Sequence, residues 1–496
     1  MIALLPQNPT LPATVFRCVA LLTGKSTATA AGSRLLTLLL GGLLLLPALA
    51  QAQTAQPTTT APASDLTQAY LDAVANDPVL GAARAQLAAN EESVPQTRSL
   101  LMPNIGVNGD STWNEITIAD APGDPQLQFN DHGWGARLSQ PLLDMESWYT
   151  HTSARASVDA ARYNFDATEQ ELIVRTIQAY LDVLRADSLV ESSRRAEAAT
   201  QRQLEQVQQR FDVGLVAITD VLEAQAGYDN SVVVRVQAVG DHDIFFEVLR
   251  TLTGQPYNDI LDISEELPIV NPEPRNVEEW VNVALSTNPT VLAAERQLVA
   301  SERTVRARRS GHLPTIDGSI TFRHSVQGGP NFFGNETDAT LYGITATLPI
   351  YQGGFISSRT KEAQALADRS AQLLQDSRLT ASRDVRNLFR RVQTDVVRVG
   401  ARLKAIASAE SALDATETGY EVGTRNVVDV LRAQENFFVS QFDYADSRYN
   451  YMLSLILLKQ RAGVLVPEDL FELNSFTDPN AVVTRIASLQ AFSGGD

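Results

Sequence analysis

Two stretches of the chain are versions of one another: RFDVGLVAITDVLEAQ at residues 210–225 and GYEVGTRNVVDVLRAQ at residues 419–434. They lie 209 residues apart, and Gly254 precedes Gly463 by the same spacing. Nearer the amino terminus, DLTQAYLDAVANDP at 65–78 matches NVEEWVNVALSTNP 211 residues later. A spacing that changes so little over so many residues indicates a single structural unit that has been duplicated.

The duplication also predicts how the chain is divided. We expect a first structural repeat at residues 65–262 and a second at 276–465, each with a short opening helix, two strands and a long helical hairpin. A linker at 263–275 joins them, and a C-terminal segment follows at 466–496.

Residues 1–52 have the pattern of a secretory signal peptide. They contain no acid, and three basic residues precede a short apolar run and a small-residue cleavage site near Ala50 or Ala52. The alternative is a permanent helical anchor, but the apolar run is short for a membrane span. We expect residues 53–64 to form a disordered linker.

Charge and cysteine content exclude several classes of protein. The only cysteine, Cys18, lies in the predicted signal, so the mature chain has no disulfide or thiol chemistry. A net charge of −18 disfavours nucleic-acid binding, because phosphates would be repelled. The five histidines are scattered, and no catalytic motif of the H-E-x-x-H or G-x-S-x-G type occurs. We therefore predict no enzymatic activity, no cofactor and no metal site.

Long helices are predicted by proline-free stretches and heptad spacing. No proline occurs from 142 to 255 or from 350 to 466. In the second stretch Val385, Val392 and Val399 recur every seven residues, and other apolar residues four positions on complete a coiled-coil pattern. A helix of about 65 residues is about 100 Å long. Gly214 and Gly423 then interrupt the two long helices, so each predicts a hairpin.

Alternating apolar residues predict two strands in each repeat. Ile316, Gly318, Ile320 and Phe322 alternate with polar residues, and similar patterns surround Trp134 and Tyr342. Such segments are typical of outer-membrane strands, although a soluble hairpin that covers a core would look the same. Four membrane strands cannot close a barrel, and open edges in lipid cost several kcal/mol for each unpaired group. Two chains would give a barrel filled by side chains, whereas three would leave a pore.

The two duplicated stretches, together with GHLPTID at 311–317 and LPIYQGG at 348–354, resemble the TolC family of outer-membrane exit ducts. The resemblance implies a mixed α+β membrane protein. In that fold, three chains share a 12-stranded outer-membrane β-barrel with four strands per chain. A long coiled-coil α-barrel continues it, with an equatorial domain formed here by regions around 256–285 and 464–496.

The resemblance also implies a function and partners. The homotrimer would be the exit duct of tripartite multidrug efflux pumps, of type I protein secretion, or of both. It would lie in the outer membrane of a Gram-negative bacterium, in contact with outer-membrane lipid, with its helices in the periplasm. A periplasmic adaptor and an inner-membrane pump of the RND or ABC type would open it for drugs or proteins. The alternative is a non-conducting periplasmic coiled-coil scaffold or a surface protein.

The resemblance assigns a closed gate to polar links at the hairpin tips. Tyr420 and Arg425 would bond Asp220 and Thr219. A second pair, Gln203 and Glu417, would lie one helical turn away. From the residues alone, Asp220 could instead cap its helix, with Glu223 completing a capping box.

Below the gate, the family has two acidic rings. Asp429 matches the first, but Arg432 stands at the second, so the two charges would largely cancel. Arg432 could alternatively turn aside and pair with a neighbouring acid.

The two turns at the tips are the expected docking points for the adaptor. They are Val213, Gly214 and Leu215 in the first hairpin, and Val422, Gly423 and Thr424 in the second. The alternative is that the glycines only terminate helices.

Overall fold

The computed structural model describes residues 63–117, 126–328 and 335–486. The predicted signal peptide and residues 53–62 of the predicted linker lie outside these ranges. Ser64, the last residue of that linker, donates its N–H to the carbonyl oxygen of Asp259 at 3.0 Å. In the ranges described, no helix is both long enough and apolar enough to cross a membrane.

Within the described residues, five helices and two strands make up the first repeat as far as Thr253. In chain order they are α1 (Leu66–Asn76), α2 (Pro78–Glu91), α3 (Ser93–Ser99), β1 (Asn104–Thr117), β2 (Gln126–Leu143), α4 (Met145–Asp212) and α5 (Ile218–Thr253). The expectation of one short opening helix is wrong. Asp77 ends α1 and also caps α2 by accepting the N–H of Leu80 at 2.9 Å, and Pro78 starts the new helix at the position that needs no N–H.

The second repeat follows the same plan, and short elements flank it. In chain order these are β3 (Asp259–Ile263), α6 (Val277–Thr287), α7 (Pro289–Ser310), β4 (Thr315–Gln327), β5 (Asn335–Thr347), α8 (Phe355–Glu421), α9 (Val427–Ala462), α10 (Pro467–Asn474) and β6 (Thr477–Thr484). Again two helices open the repeat, because Asn288 caps α7 and Pro289 begins it.

The long helices have the predicted length. Helix α4 has 68 residues and α8 has 67. Helix α4 packs on α5 and α9, and α9 packs on α8, so α5 and α8 form the two flanks of the chain. Most of the predicted seam is buried, including Val385, Phe389 and Val392. Leu403 is an exception at 54% exposure, so α8 keeps an open side between Val399 and the tip.

The four long strands form one antiparallel sheet in the order β1-β2-β4-β5. Its register places Ile105, Leu138, Ile320 and Tyr342 in one row across the sheet. Ile105 is 74% exposed and Tyr342 is 78% exposed, so this apolar face is uncovered in the single chain. Three residues further along the strands, on the opposite face, another row contains Asn108, Gly135, Arg323 and Ala339. Strands β1 and β5 are the free edges.

The main core lies where the hairpins, α6, α10 and the small sheet of β3 and β6 meet. Tyr180 is fully buried there and donates its hydroxyl hydrogen to the carbonyl oxygen of Leu261. Tyr451 is also buried and bonds both backbone groups of Val270, within the predicted linker. The core therefore joins residues from both repeats near the ends of α5 and α9.

Candidate functional site: the helical tips

Both hairpin turns are Schellman motifs, which end a helix with a left-handed residue. Gly214 and Gly423 have φ of 75° and 80°, a conformation that side chains disfavour. The N–H of Leu215 bonds the carbonyl oxygen of Arg210, and the N–H of Thr424 bonds that of Gly419, both at 2.8 Å. The two turns thus have the same geometry, and the glycines do terminate their helices.

An apolar cluster packs the two tips together just above these turns. It contains Val207, Val221, Ala224, Tyr420, Val427 and Val430. Its members come from all four long helices, so the two hairpins of one chain are held side by side at their ends.

Tyr420 lies in this cluster with its hydroxyl group unsatisfied. The residue is 7% exposed, and its oxygen has no hydrogen-bond partner among the described residues. The guanidinium carbon of Arg210 lies 4.8 Å from the centre of its ring. Burial raises the pKa of the Tyr420 hydroxyl, the positive charge of Arg210 opposes that rise, and the nearby negative charge of Asp220 adds to it. Tyr420 and Asp220 are therefore neighbours in one chain, but no bond joins them.

The two helices that leave the turns begin differently. Asn426 caps α9 by accepting the N–H of Asp429 at 2.8 Å, and the Asp429 carboxylate in return faces the N–H of Asn426 at 3.5 Å. The equivalent residue before α5 is Ala217, which has no side chain able to cap.

Asp220 therefore does not cap its helix, and that alternative is wrong. It is the third residue of α5, where a negative charge is favoured by the helix dipole. Within the described part of the chain its carboxylate makes no hydrogen bond or ion pair. Asp429 is thus used for capping in the second repeat, whereas the equivalent Asp220 of the first repeat is available for another contact.

Arg425 and Thr219 do not meet within one chain. The nearest acid to Arg425 is Asp429, at 3.9 Å, and the Arg425 side chain is 60% exposed. Its Cγ lies only 2.8 Å from where a Cβ at Gly419 would be, so the absence of a side chain there lets Arg425 fold over the end of α8. Thr219 is exposed.

Gln203 and Glu417 line one polar cavity of about 350 Å³ between α4, α8 and α9. They do not bond each other directly. Gln434 lies between them and donates its Nε2 hydrogen to Glu417 at 3.2 Å. Gln203 and Gln434 are each more than nine-tenths buried, and each keeps one amide atom without a partner.

Gln434 is a site residue that the sequence analysis missed. It interrupts the apolar positions Val427, Val430 and Phe438 of α9, and a polar residue in such a seam is a signal that could have identified it.

Arg432 lies at a different cavity from Gln203 and Glu417. It lines a mainly apolar groove between α4, α5 and α9 together with Glu435, Leu431 and Phe438. Among the described residues it has no ion pair within 4.0 Å, so the expected alternative of a neighbouring acid is not seen in the single chain. Asp429, three residues earlier, is partly buried by its capping role.

The residues that the sequence predicts as docking points form an exposed, largely apolar surface at the two turns. Val213, Leu215 and Val422 are each at least 70% exposed, and Gly214, Gly423 and Thr424 are exposed beside them. In the described residues, no cluster of acids, histidines or cysteines is arranged to hold a metal ion.

The sequence matches the outer membrane efflux protein family over residues 69–255 and again over 280–464. The chain belongs to this family. The two matched segments fall one in each repeat.

Curated relatives and a solved structure agree with that assignment. The chain is 33% identical to the outer membrane protein TolC of Vibrio cholerae over 434 residues, which are 87% of this chain and 98% of that protein. It is 24% identical to the alkaline protease secretion protein AprF of Pseudomonas aeruginosa, over 88% of this chain and 90% of the relative. The crystal structure of the Campylobacter jejuni CmeC outer membrane channel superposes with a TM-score of 0.70 at 17% identity, covering 83% of this chain and 90% of that one.

Family membership confirms the expected outer-membrane location, fold class and export function. The family is one of transport proteins and not of enzymes. Membership of a family of efflux proteins disfavours the alternative of a non-conducting scaffold or surface protein.

The difference between the two caps predicts a local difference in stability. Asn426→Ala removes the cap of α9 and should lower the local stability of its first turn by about 1 kcal/mol. In native-state hydrogen exchange, the amide of Asp429 should then exchange about fivefold faster. The matched control Asn436→Ala, at an exposed position inside α9, should leave this amide unchanged. An unchanged Asp429 amide in Asn426→Ala would show that the cap contributes nothing.

Proposed function

We propose that three copies of the chain form one exit duct that is closed at the helical tips and opened by a docked adaptor and pump. The observation that carries the proposal is a four-stranded sheet with an uncovered apolar row on one face and two open edges. This sheet continues directly into the two long helical hairpins. Such a chain is one part of a tube.

The free edges of the sheet support a shared barrel. Strands β1 and β5 have 14 and 13 residues, and each has a partner on only one side. In lipid, every unpaired backbone group costs several kcal/mol, so these edges require strands from other copies. Neighbouring strands in the sheet are antiparallel, so β5 of one copy would run antiparallel to β1 of the next. Three copies complete twelve strands, which leaves room for an aqueous pore.

The faces of the sheet fit that arrangement. The row of Ile105, Leu138, Ile320 and Tyr342 would face lipid, and the face with Asn108 and Arg323 would face the lumen. Outer-membrane barrels alternate in this way along each strand.

The gate would depend on the contrast between a stable apolar cluster and weak polar links. The cluster around Tyr420 and Val430 holds the two hairpins of a chain together. Asp220, Arg425 and Thr219 remain able to bond residues of a neighbouring copy, because none of them is committed to a strong contact in the single chain. Exposed ion pairs contribute about 0–1 kcal/mol each, so three copies supply at most a few kcal/mol. The binding free energy of a docking partner can exceed this amount and so break the links.

Removing the Asp220 link should open the gate. Asp220→Asn keeps the shape of the side chain and removes its charge, so the open-state fraction in single-channel recordings should rise severalfold. Glu223→Gln makes the same chemical change one helical turn away at an exposed position and is the control. If both variants conduct like the parent protein, Asp220 is not part of the gate. Unchanged thermal stability of the trimer would exclude a general loosening.

Arg432 would make the pore entrance less cation-selective than an entrance with two acidic rings. Three Asp429 side chains and three Arg432 side chains in the trimer would place charges of opposite sign one helical turn apart.

Block by a trivalent cation tests this arrangement. The parent channel should be blocked weakly, and Arg432→Asp should strengthen the block by at least about tenfold because it adds three acids at the entrance. Arg461→Asp changes the charge equally at the far end of α9 and should have no effect. Strong block of the parent channel would contradict the proposed cancellation.

The exposed turns would receive a periplasmic adaptor, and an inner-membrane pump of the RND or ABC type would complete the assembly. Val213, Leu215 and Val422 offer apolar contacts at the point where the tube ends. The similarity to TolC and to a protease secretion protein supports export of drugs, of proteins, or of both.

A further inference from the structure

All four strands meet their helices at the same end of the sheet. Here β1 begins after α3, β2 ends before α4, β4 begins after α7 and β5 ends before α8. We call this region the collar and define it as residues 93–103, 142–149, 304–314 and 348–359. In the proposed duct, it lies at the edge of the membrane on the helical side.

The collar is unusually apolar on its surface. Ile350 is 92% exposed and Tyr351 is 85% exposed, and Leu142, Trp148, Leu348 and Phe355 are each more than half exposed. Tyrosine and tryptophan side chains such as Tyr351 and Trp148 gather where a protein meets the interface of a bilayer. They continue the apolar face of the sheet towards the helices.

The collar is also positively charged in an acidic protein. It contains five arginines and two acids, whereas the whole chain has a net charge of −18. Both acids are already engaged within the protein. Asp144 caps α4 by accepting the N–H of Ser147 at 3.0 Å, and Glu146 pairs with Arg308 at 2.8 Å and faces Arg359 at 3.8 Å.

Three arginines of the collar are not paired with an acid in the described part of the chain. Arg98, Arg306 and Arg309 are exposed, and within the described ranges none of them makes an ion pair. Arg98 and Arg309 lie in the last turns of α3 and α7, where the helix dipole favours a cation but leaves the guanidinium group free. Arg306 is four residues from the end of α7, about 6 Å along the axis, within reach of a long side chain.

We propose that Arg98, Arg306 and Arg309 bind the phosphate groups of anionic phospholipids in the leaflet on the helical side of the membrane. Guanidinium groups match phosphate geometry, and the exposed apolar collar next to them would receive the acyl chains. The ligand is a lipid and not free phosphate, because the exposed apolar side chains can pack against acyl chains but make no favourable contact with an inorganic ion. This inference rests on the proposed position of the sheet in the membrane.

The experiment uses the purified full-length trimer in a neutral detergent, titrated with phosphatidylglycerol, with phosphatidylcholine or with inorganic phosphate. Bound lipids are counted by native mass spectrometry, and the unfolding temperature is recorded at each lipid concentration. We expect phosphatidylglycerol, but not phosphatidylcholine or inorganic phosphate, to bind and to raise the unfolding temperature. Equal effects of the two lipids would overturn the proposal.

Variants locate the binding site. Each basic residue near an anionic surface is worth about fivefold in affinity, so R98Q/R306Q/R309Q should bind phosphatidylglycerol about a hundredfold more weakly. The charge-matched control R275Q/R369Q/R390Q removes three exposed arginines elsewhere and should bind like the parent protein. R98K/R306K/R309K should keep most of the affinity, since it keeps the charge. An equal loss in the charge-matched control would mean that only net charge matters and would overturn the assignment.

Conductance separates this inference from the proposed function. A channel that forms in a phosphatidylcholine bilayer but shows no preference for phosphatidylglycerol would contradict the collar alone. Failure to form any channel would contradict the duct itself.

Discussion

The unpaired edges of the sheet are the constraint on which the rest of the molecule depends. Strands β1 and β5 expose a row of backbone N–H and C=O groups along their full length, and lipid offers these groups no partner. The edges can be satisfied only by other copies of the chain. Because each strand pair is followed by one hairpin, closing the strands into a barrel also arranges the hairpins in a ring. Closure therefore also brings the tips of all copies together at the far end of the helices.

The tips combine strong and weak interactions in a way that suits a gate. Within a chain, burial of Val207, Tyr420 and Val430 fixes the two hairpins as one body. Between chains, the proposed links use polar groups such as the partly buried Asp220 and the exposed Arg425, and such links contribute little individually. The difference between Asp220 and Asp429 comes from the way the two repeats cap their second long helix. Asp429 takes part in the capping box of α9. Its counterpart Asp220 lies three residues after Ala217, whose side chain cannot form a capping box.

Much of the fold could be predicted from the sequence, because proline-free heptads and alternating strands are local patterns. The lengths of α4 and α8 and the burial of Val385 and Val392 belong to this part. The hydrogen bond from Gln434 to Glu417 was missed because the two residues lie on different helices. The arginine collar was missed for the same reason, since Arg98 and Arg306 are far apart in the sequence and only the sheet brings their helix ends to one level. The proposed bonds between gate residues stay predictions, because they require neighbouring copies.

Cysteine cross-linking between the sheet edges tests the central claim most directly. The only native cysteine, Cys18, lies in the predicted signal peptide, so introduced cysteines would be the only reactive ones in the mature protein. Ser111→Cys in β1 is combined in turn with single cysteines at positions 338 to 342 of β5. For at least one pair, oxidation in the membrane should give a covalent ladder that ends at three chains. A ladder that ends at another number, or monomers for every pair, would contradict a barrel shared by three copies.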